Sequence, residues 1–380
     1  MKKIKKLRMI LLNFLLQIKG LPKYRKCKLQ LKKLLVGETN PLYICDNDKK
    51  IWNKSFLNLS LITNKRGLTL AQEFYKSNIC VISEKRKFFN DKDLILICLA
   101  KNECDNLKKI YNYYTNLGVN NFVYIDNGSN DNTIEYFKKI ENVNLFSVKD
   151  EYTSIRRQAW INKIISRYGF NKWYLVIDSD EYLAFNECEK NSISDAINFF
   201  NSKKIERVRA LMVDMYPKRI IFNNDNIDFL KKYNLFDYNT YGVYHSKESM
   251  LFDCLNGGMR GRLFSEGDES KKPWLTKYPL LLFKKGDIQF QSHMSYPFEK
   301  NFDSDCYLVL MHYKFLPSDS KKYQDRVKKG NFSLGSWEYK RYIEQMKKGY
   351  IDFYDSKCSK KYITSESFYQ IKLLSKIPWK

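Results

Sequence analysis

Residues 93–100, DLILICLA, form a near-continuous apolar run of strand length. Such a run marks a strand buried on both faces of a parallel sheet, because an antiparallel strand with one wet face would alternate apolar and polar residues. The next segments of the chain continue the pattern. Residues 103–117 carry apolar side chains at 107, 110, 113, 114 and 117 and stop at Gly118, which is helical spacing with a glycine terminator. A strand is expected at 121–126 (NFVYID), a polar turn at NGSNDNT, a short helix at IEYFKKI and a strand at 142–148 (NVNLFSV). A helix over 153–168 and a strand at 172–178 (KWYLVID) complete the series. Four strands alternating with helices predict an α/β fold with a doubly wound, mainly parallel sheet. Ligands of such sheets bind beyond the carboxyl ends of the strands, where Lys101, Asn102, Glu103, Asp126, Asp178 and Asp180 are expected to gather.

Length and composition bound the rest of the chain. At 380 residues it exceeds what one core usually organises, and 44% hydrophobic with 16% aromatic residues excludes disorder. The net charge of +25 is concentrated at the ends. Residues 1–35 hold twelve Lys or Arg and no acid, and residues 316–380 hold fifteen basic against seven acidic. The expected organisation is therefore a basic N-terminal region (1–90), an α/β domain (91–315) and a basic, helical C-terminal extension (316–380). Basic ends suit an anionic membrane surface or a polyanion, although an AT-rich genome would also enrich lysine. The apolar stretch from Met9 to Leu16 is too short to span a bilayer and lacks a signal-peptide cleavage site. A membrane-surface helix within 3–35 and a helix packed on its own domain are the two readings open there. Nine cysteines without a C-x-x-C pair argue against a disulfide framework or zinc ribbon and for a reducing cytoplasm. The expected location is cytoplasmic, peripheral on the inner membrane face, with no specific nucleic acid partner.

The segment IDSDEYL sets Asp178 and Asp180 two residues apart past a buried strand, so both point the same way and could hold a divalent cation. Turn and capping roles explain most D-x-D pairs. Here Asp178, Asp180 and Glu181 stack like charges that repel unless a cation intervenes. Arginine is scarce, 14 of 67 basic residues, so pairs of arginines draw notice. Gly257, Gly258, Arg260, Gly261 and Arg262 read as a flexible loop whose two forks could grip phosphate or carboxylate oxygens. A tight turn with solvated charges is the competing reading. Arg156 and Arg157 open the helix before the D-x-D strand and are candidates for the same anionic group. His312 and Lys314 follow a strand-like YLVLM, and imidazole joins carboxylates around Mn²⁺.

LAKNE, IDNGSNDNT and WYLVIDSDEYL together resemble the nucleotide-sugar-binding half of a GT-A glycosyltransferase of the family 2 kind, specifically the bacterial branch bearing D-x-D-E. The resemblance extends through VDMYP (213–217), LFD (235–237), GGMRGRLF (257–264), LTKYPL (275–280), His293 and MHYKF (311–315), covering about residues 93–315. It implies a nucleotide-sugar donor, a glycan or lipid-linked acceptor, Mn²⁺ or Mg²⁺ as cofactor, and a role in surface polysaccharide synthesis. Asp126 would meet the base or ribose; the alternative for its loop is a polar turn that caps the next helix through Asp131 or Asn132. The resemblance makes His312 the third metal ligand beside Asp178 and Asp180, with Lys314 on the diphosphate and His293 as the alternative ligand. If the reaction inverts, a carboxylate must act as base, and Asp214, Asp237 and Asp253 are candidates. Two rivals stand: a non-catalytic polyanion-binding protein on a degenerate α/β scaffold, and a nucleotidyltransferase, for which no glycine-rich phosphate loop is found.

Overall fold

The computed structural model describes the chain except for residues 1, 17, 20, 35–45, 222–227, 246–250, 317–318, 331–332 and 380. Nine of the described strands form one sheet. In chain order they are β1 (Ile79–Ser83), β2 (Leu94–Ala100), β3 (Phe122–Asp126), β4 (Val143–Val148), β5 (Lys172–Ile177), β6 (Glu181–Ala184), β7 (Arg207–Met215), β8 (Thr276–Phe283) and β9 (Tyr307–Tyr313). Their order across the sheet is β1-β4-β3-β2-β5-β8-β7-β9-β6. Six run in one direction, and β1, β8 and β6 run against them. The four strands expected from the sequence are the parallel block β4-β3-β2-β5.

Thirteen helices accompany the sheet among the described residues. They are α1 (Lys2–Leu16), α2 (Pro22–Leu34), α3 (Asp46–Thr63), α4 (Lys65–Lys76), α5 (Cys104–Asn116), α6 (Thr133–Phe137) and α7 (Ser154–Tyr168), then α8 (Ile193–Ser202), α9 (Phe229–Lys232), α10 (Gly258–Phe264), α11 (Asp319–Lys329), α12 (Ser333–Met346) and α13 (Glu366–Tyr369). The apolar run of β2 is continuous because its side chains alternate between two cores. Leu94, Leu96 and Cys98 pack with Leu107, Ile110 and Tyr114 of α5 and Phe200 of α8. Ile95 and Ile97 face the other way, into a core shared with Trp160, Ile161 and Ile164 of α7 and Phe74 of α4. The architecture is α/β, with helices on both faces of a mostly parallel sheet.

The two ends are woven into this architecture. Trp52 of α3 packs on Phe74 at 4.9 Å between ring centroids and on Phe170 at 5.7 Å. β1 adds to the sheet edge beside β4. The segment 316–380, expected as a helical extension, also supplies strands: Tyr350–Asp352 pairs with Arg219–Ile221, and Ser359–Lys361 with Leu235–Asp237. Phe353, Phe368, Leu374 and Ile377 lie in the main core. No helix among the described residues is long and apolar enough to cross a membrane. Eight cysteines, all those described, are free thiols.

Candidate functional site

The site forms where the carboxyl ends of β2, β3, β5, β7 and β9 meet the first residues of the antiparallel β6 and β8. The chain turns sharply after β5, so that Asp178 follows one strand and Glu181 opens another; the Glu181 carboxylate closes the turn by accepting the Asp178 backbone N–H at 3.1 Å. In β9, His312 lies in register between Asp214 of β7 and Glu181 of β6. These pairings bring residues more than 130 positions apart onto one patch.

Asp180, Glu181 and His312 each offer a ligand atom within 4.8 Å of the others. His312 Nε2 lies 3.5 Å from Asp180 Oδ2, while its Nδ1 meets Asp214 Oδ1 at 2.7 Å. A carboxylate on the far ring nitrogen orients an imidazole and leaves the near nitrogen for a cation, the usual outer arrangement of a metal-binding histidine. This donor set, two carboxylates and an oriented imidazole, fits Mn²⁺ or Mg²⁺.

Asp178 is differently engaged. Arg157 Nη2 donates to its Oδ1 at 2.6 Å and Lys277 Nζ to its Oδ2 at 3.1 Å. Lys277 also pairs with Glu181. The converging set is thus Asp180, Glu181 and His312 in place of Asp178, Asp180 and His312. The cations expected to intervene among the three acids come in part from the chain itself. Burial works against the Asp178 charge, but Arg157 and Lys277 outweigh it and hold its carboxyl well below the usual range. Asp180 is likewise held low against burial, chiefly by His312 and then Lys314. Glu181 goes the other way: burial, with Asp178 and Asp180 nearby, raises it despite Lys277. Arg157 is 4% exposed, and its Nη1 has no hydrogen-bond partner among the described residues.

Residues 257–262, expected as a flexible loop, enter a short helix. Gly257 and Gly258 have φ of 107° and 67°, and a Cβ at Gly257 would collide with the Thr240 carbonyl. That turn aims α10 so that Arg260 is buried, with Nε donating to Asp214 at 2.9 Å and Nη1 to Glu338 at 2.7 Å. Arg262 forks onto both oxygens of Asp237 at 2.9 Å. The fork geometry is used, but on carboxylates of the chain rather than on a ligand. The same pairs remove two base candidates. Asp214, despite burial, is lowered to about 2 by Arg260 and His312. Asp237 is buried in its arginine fork and also accepts from Tyr216. Asp253 is held by Arg209 at 3.0 Å. A carboxylate whose oxygens are taken up by a guanidinium of the chain is not presented to an acceptor hydroxyl.

The other expected residues divide. Asp126 is buried, and its carboxylate accepts the backbone N–H groups of Gly128 and Ser129 at 3.0 and 3.1 Å. Asp131, and not Asn132, caps the neighbouring helices, accepting from Thr133 N at 3.0 Å and Cys104 N at 3.1 Å. Asn102, at φ 55°, is latched to the same loop through Asn130 N at 2.8 Å. Lys101 is exposed beside Gly128. Arg156 turns away to Glu73 at 3.1 Å. Lys314 approaches Asp180 at 4.0 Å. His293 stands outside the ligand cluster, with Nδ1 on the Thr276 carbonyl at 2.8 Å.

Several site residues escape sequence reasoning. Glu181, expected as one of three stacked acids rather than as a ligand, is the E of D-x-D-E, and Lys277 lies in LTKYPL, so both had a local signal. Lys322, which pairs with Glu103, and Glu338 come from α11 and α12, where no motif announces them. Arg326 joins them, donating to Tyr339 OH at 2.5 Å.

No known sequence family matches the chain, and no curated protein matches it. Among solved structures, it is similar to S. aureus TarS residues 1–349, with a TM-score of 0.28 and 11% identity over 66% of this chain and 69% of that one. A likeness that loose bears on neither fold nor function.

Proposed function

We propose that this chain is a metal-dependent glycosyltransferase of the GT-A type that takes a sugar from a nucleotide-sugar donor. The observation that carries the reading is the convergence of Asp180, Glu181 and the Asp214-oriented His312 at the carboxyl edge of an α/β sheet. A scaffold that only bound polyanions would have no reason to bury an acidic cluster among its cations. Asp180, Glu181 and His312 would hold Mn²⁺ or Mg²⁺, which supplies a Lewis acid that neutralises charge on a leaving diphosphate. Lys314 and the unpartnered Nη1 of Arg157 add fixed positive charge at the same edge, where preorganised donors stabilise developing negative charge. Lys277 keeps Asp178 and Glu181 from repelling each other and so fixes the strand turn on which Asp180 rides. The acceptor implied by the resemblance of the sequence motifs is a glycan or a lipid-linked acceptor in surface polysaccharide synthesis.

Calorimetric and thermal-shift titration with a panel of nucleotide sugars, with and without Mn²⁺, tests this. At least one donor is expected to bind only when the cation is present, and Asp180→Asn and His312→Gln should each abolish that binding while remaining folded. Absence of cation-dependent binding by every donor, or wild-type binding by both variants, would refute the assignment.

A further inference from the structure

Helix α1 packs against the body with its polar side. Lys5 meets Asp253 at 3.4 Å, Lys6 pairs with Asp303, and Asn13 donates to Glu299 at 3.0 Å. Among its apolar residues Met9 is buried, at 3% exposure, and Leu16 packs half-buried against the same core. The opposite side is the apolar one. Ile4, Leu7, Leu11, Phe14 and Leu15 fall on a single stripe at helical spacing, each between 49% and 71% exposed. At about 100° per residue, Lys3 and Arg8 fall at the two margins of that stripe. An amphipathic helix in a soluble protein normally buries its apolar face, so this one is docked the wrong way round for water.

We infer that the outward face of α1 binds an anionic lipid bilayer surface, lying in the headgroup region with its apolar stripe in the acyl boundary. Charge decides the occupant. The first 35 residues hold twelve basic side chains and no acid, and Lys3, Arg8, Lys19, Arg25, Lys26 and Lys28 among them are exposed. Lys3 and Arg8 flank the stripe itself, and the others add positive charge in the segment that follows it; an anionic leaflet attracts such a segment while the apolar face of α1 is buried, the combination that holds interfacial helices on membranes. A second copy of this chain fits poorly, because pairing the two stripes would bring two acid-free, lysine-rich segments together in a chain of net charge +25. Salt bridges to Asp253 and Asp303 fix the helix to the body of the molecule, so the lipid surface would also set its orientation. The inference does not depend on the glycosyl-transfer reading.

The test is flotation of the full chain with vesicles of phosphatidylcholine alone and of phosphatidylcholine mixed with phosphatidylglycerol, together with sedimentation velocity in the absence of lipid. The wild type should float with the anionic vesicles and not with the zwitterionic ones, and high salt should weaken the association. Leu7→Gln, Leu11→Gln and Phe14→Gln combined should lower partition roughly tenfold or more, because membrane affinity scales with buried apolar area. These positions are exposed, so thermal unfolding should match wild type and guard against loss of fold. Lys3→Gln with Arg8→Gln should weaken anionic binding while leaving the stripe intact. Failure of the wild type to float, or equal flotation by the triple variant, overturns the inference. So does a concentration-dependent dimer that the triple variant abolishes, which would make a second copy the occupant.

Discussion

Asp180 and Asp178 are two residues apart, yet they do different work because their partners differ. Asp178 is neutralised by Arg157 and Lys277, whereas Asp180 faces His312 across 3.5 Å and is the carboxylate positioned to share a cation with it. Asp180→Asn should therefore eliminate cation-dependent donor binding and modestly lower thermal unfolding without metal, since the pairing with His312 and Lys314 that holds its carboxyl low against burial is lost. Arg262 makes the opposite case. Its fork holds both oxygens of the buried Asp237, and lysine offers only a point charge there. Arg262→Lys should cost about 1–3 kcal/mol in denaturant unfolding while donor and Mn²⁺ affinities of the folded protein stay at wild type. His293 supplies a pH dependence. Burial, with Lys277 nearby, lowers its pKa from 6.5 to about 4. The unfolded chain then binds the additional proton between those values, so this contribution is complete above about pH 6.5 and is lost as pH falls toward 4. The loss amounts to at most about 3 kcal/mol. A His293→Gln variant should show a flatter profile of unfolding free energy over that range; parallel profiles would show that His293 is not the group responsible.

At the scale of elements, β2 to β5 with α5 and α7 arise from local pattern. Apolar runs of strand length, a glycine stop at Gly118 and the Thr153 cap of α7, whose hydroxyl accepts the Arg156 N–H, are all short-range signals. Helix α10 does not, because glycine-rich sequence is permissive and only its pairing with Asp214, Asp237 and Glu338 selects the helical turn. The C-terminal elements are the clearest case of long-range dependence. Tyr323, Tyr339 and Tyr342 of α11 and α12 pack around Phe315 and Phe264, and Phe353, Phe368, Leu374 and Ile377 fill the main core. Burying each large apolar side chain contributes about 1.5–3 kcal/mol, and a domain's net stability is only about 5–15 kcal/mol. A chain ending at residue 315 should accordingly lose cooperative thermal unfolding and expose apolar surface to dye. A sharp transition in that truncated chain would show that the C-terminal elements are peripheral.

At the scale of the molecule, one edge of the sheet collects the acidic cluster, its histidine and the surrounding cations, while α1 presents an apolar stripe elsewhere on the surface. The α/β class, the parallel block and the placement of Asp126, Asp178 and Asp180 at strand ends could be read in the sequence, because periodicity and turn chemistry act over a few residues and each strand carries its own signal. Their partners mostly could not: His312 and Lys314 are expected beside them only through the resemblance of the motifs, and nothing in the sequence pairs the rest with them. Lys277 on Asp178, Asp214 behind His312, and Glu338 on Arg260 reach the site from strands and helices whose positions are set by packing of the whole chain. Which acid receives an arginine, and which is left to a cation, depends on distances of a few ångströms between segments 90 or more residues apart, as for Lys277 and Glu181 or His312 and Asp214. The N-terminal helix divides the same way. Its charge and apolar content are properties of sequence, but which face meets the body and which meets solvent was decided by the acids at 253, 299 and 303 that the tertiary fold brings beneath it.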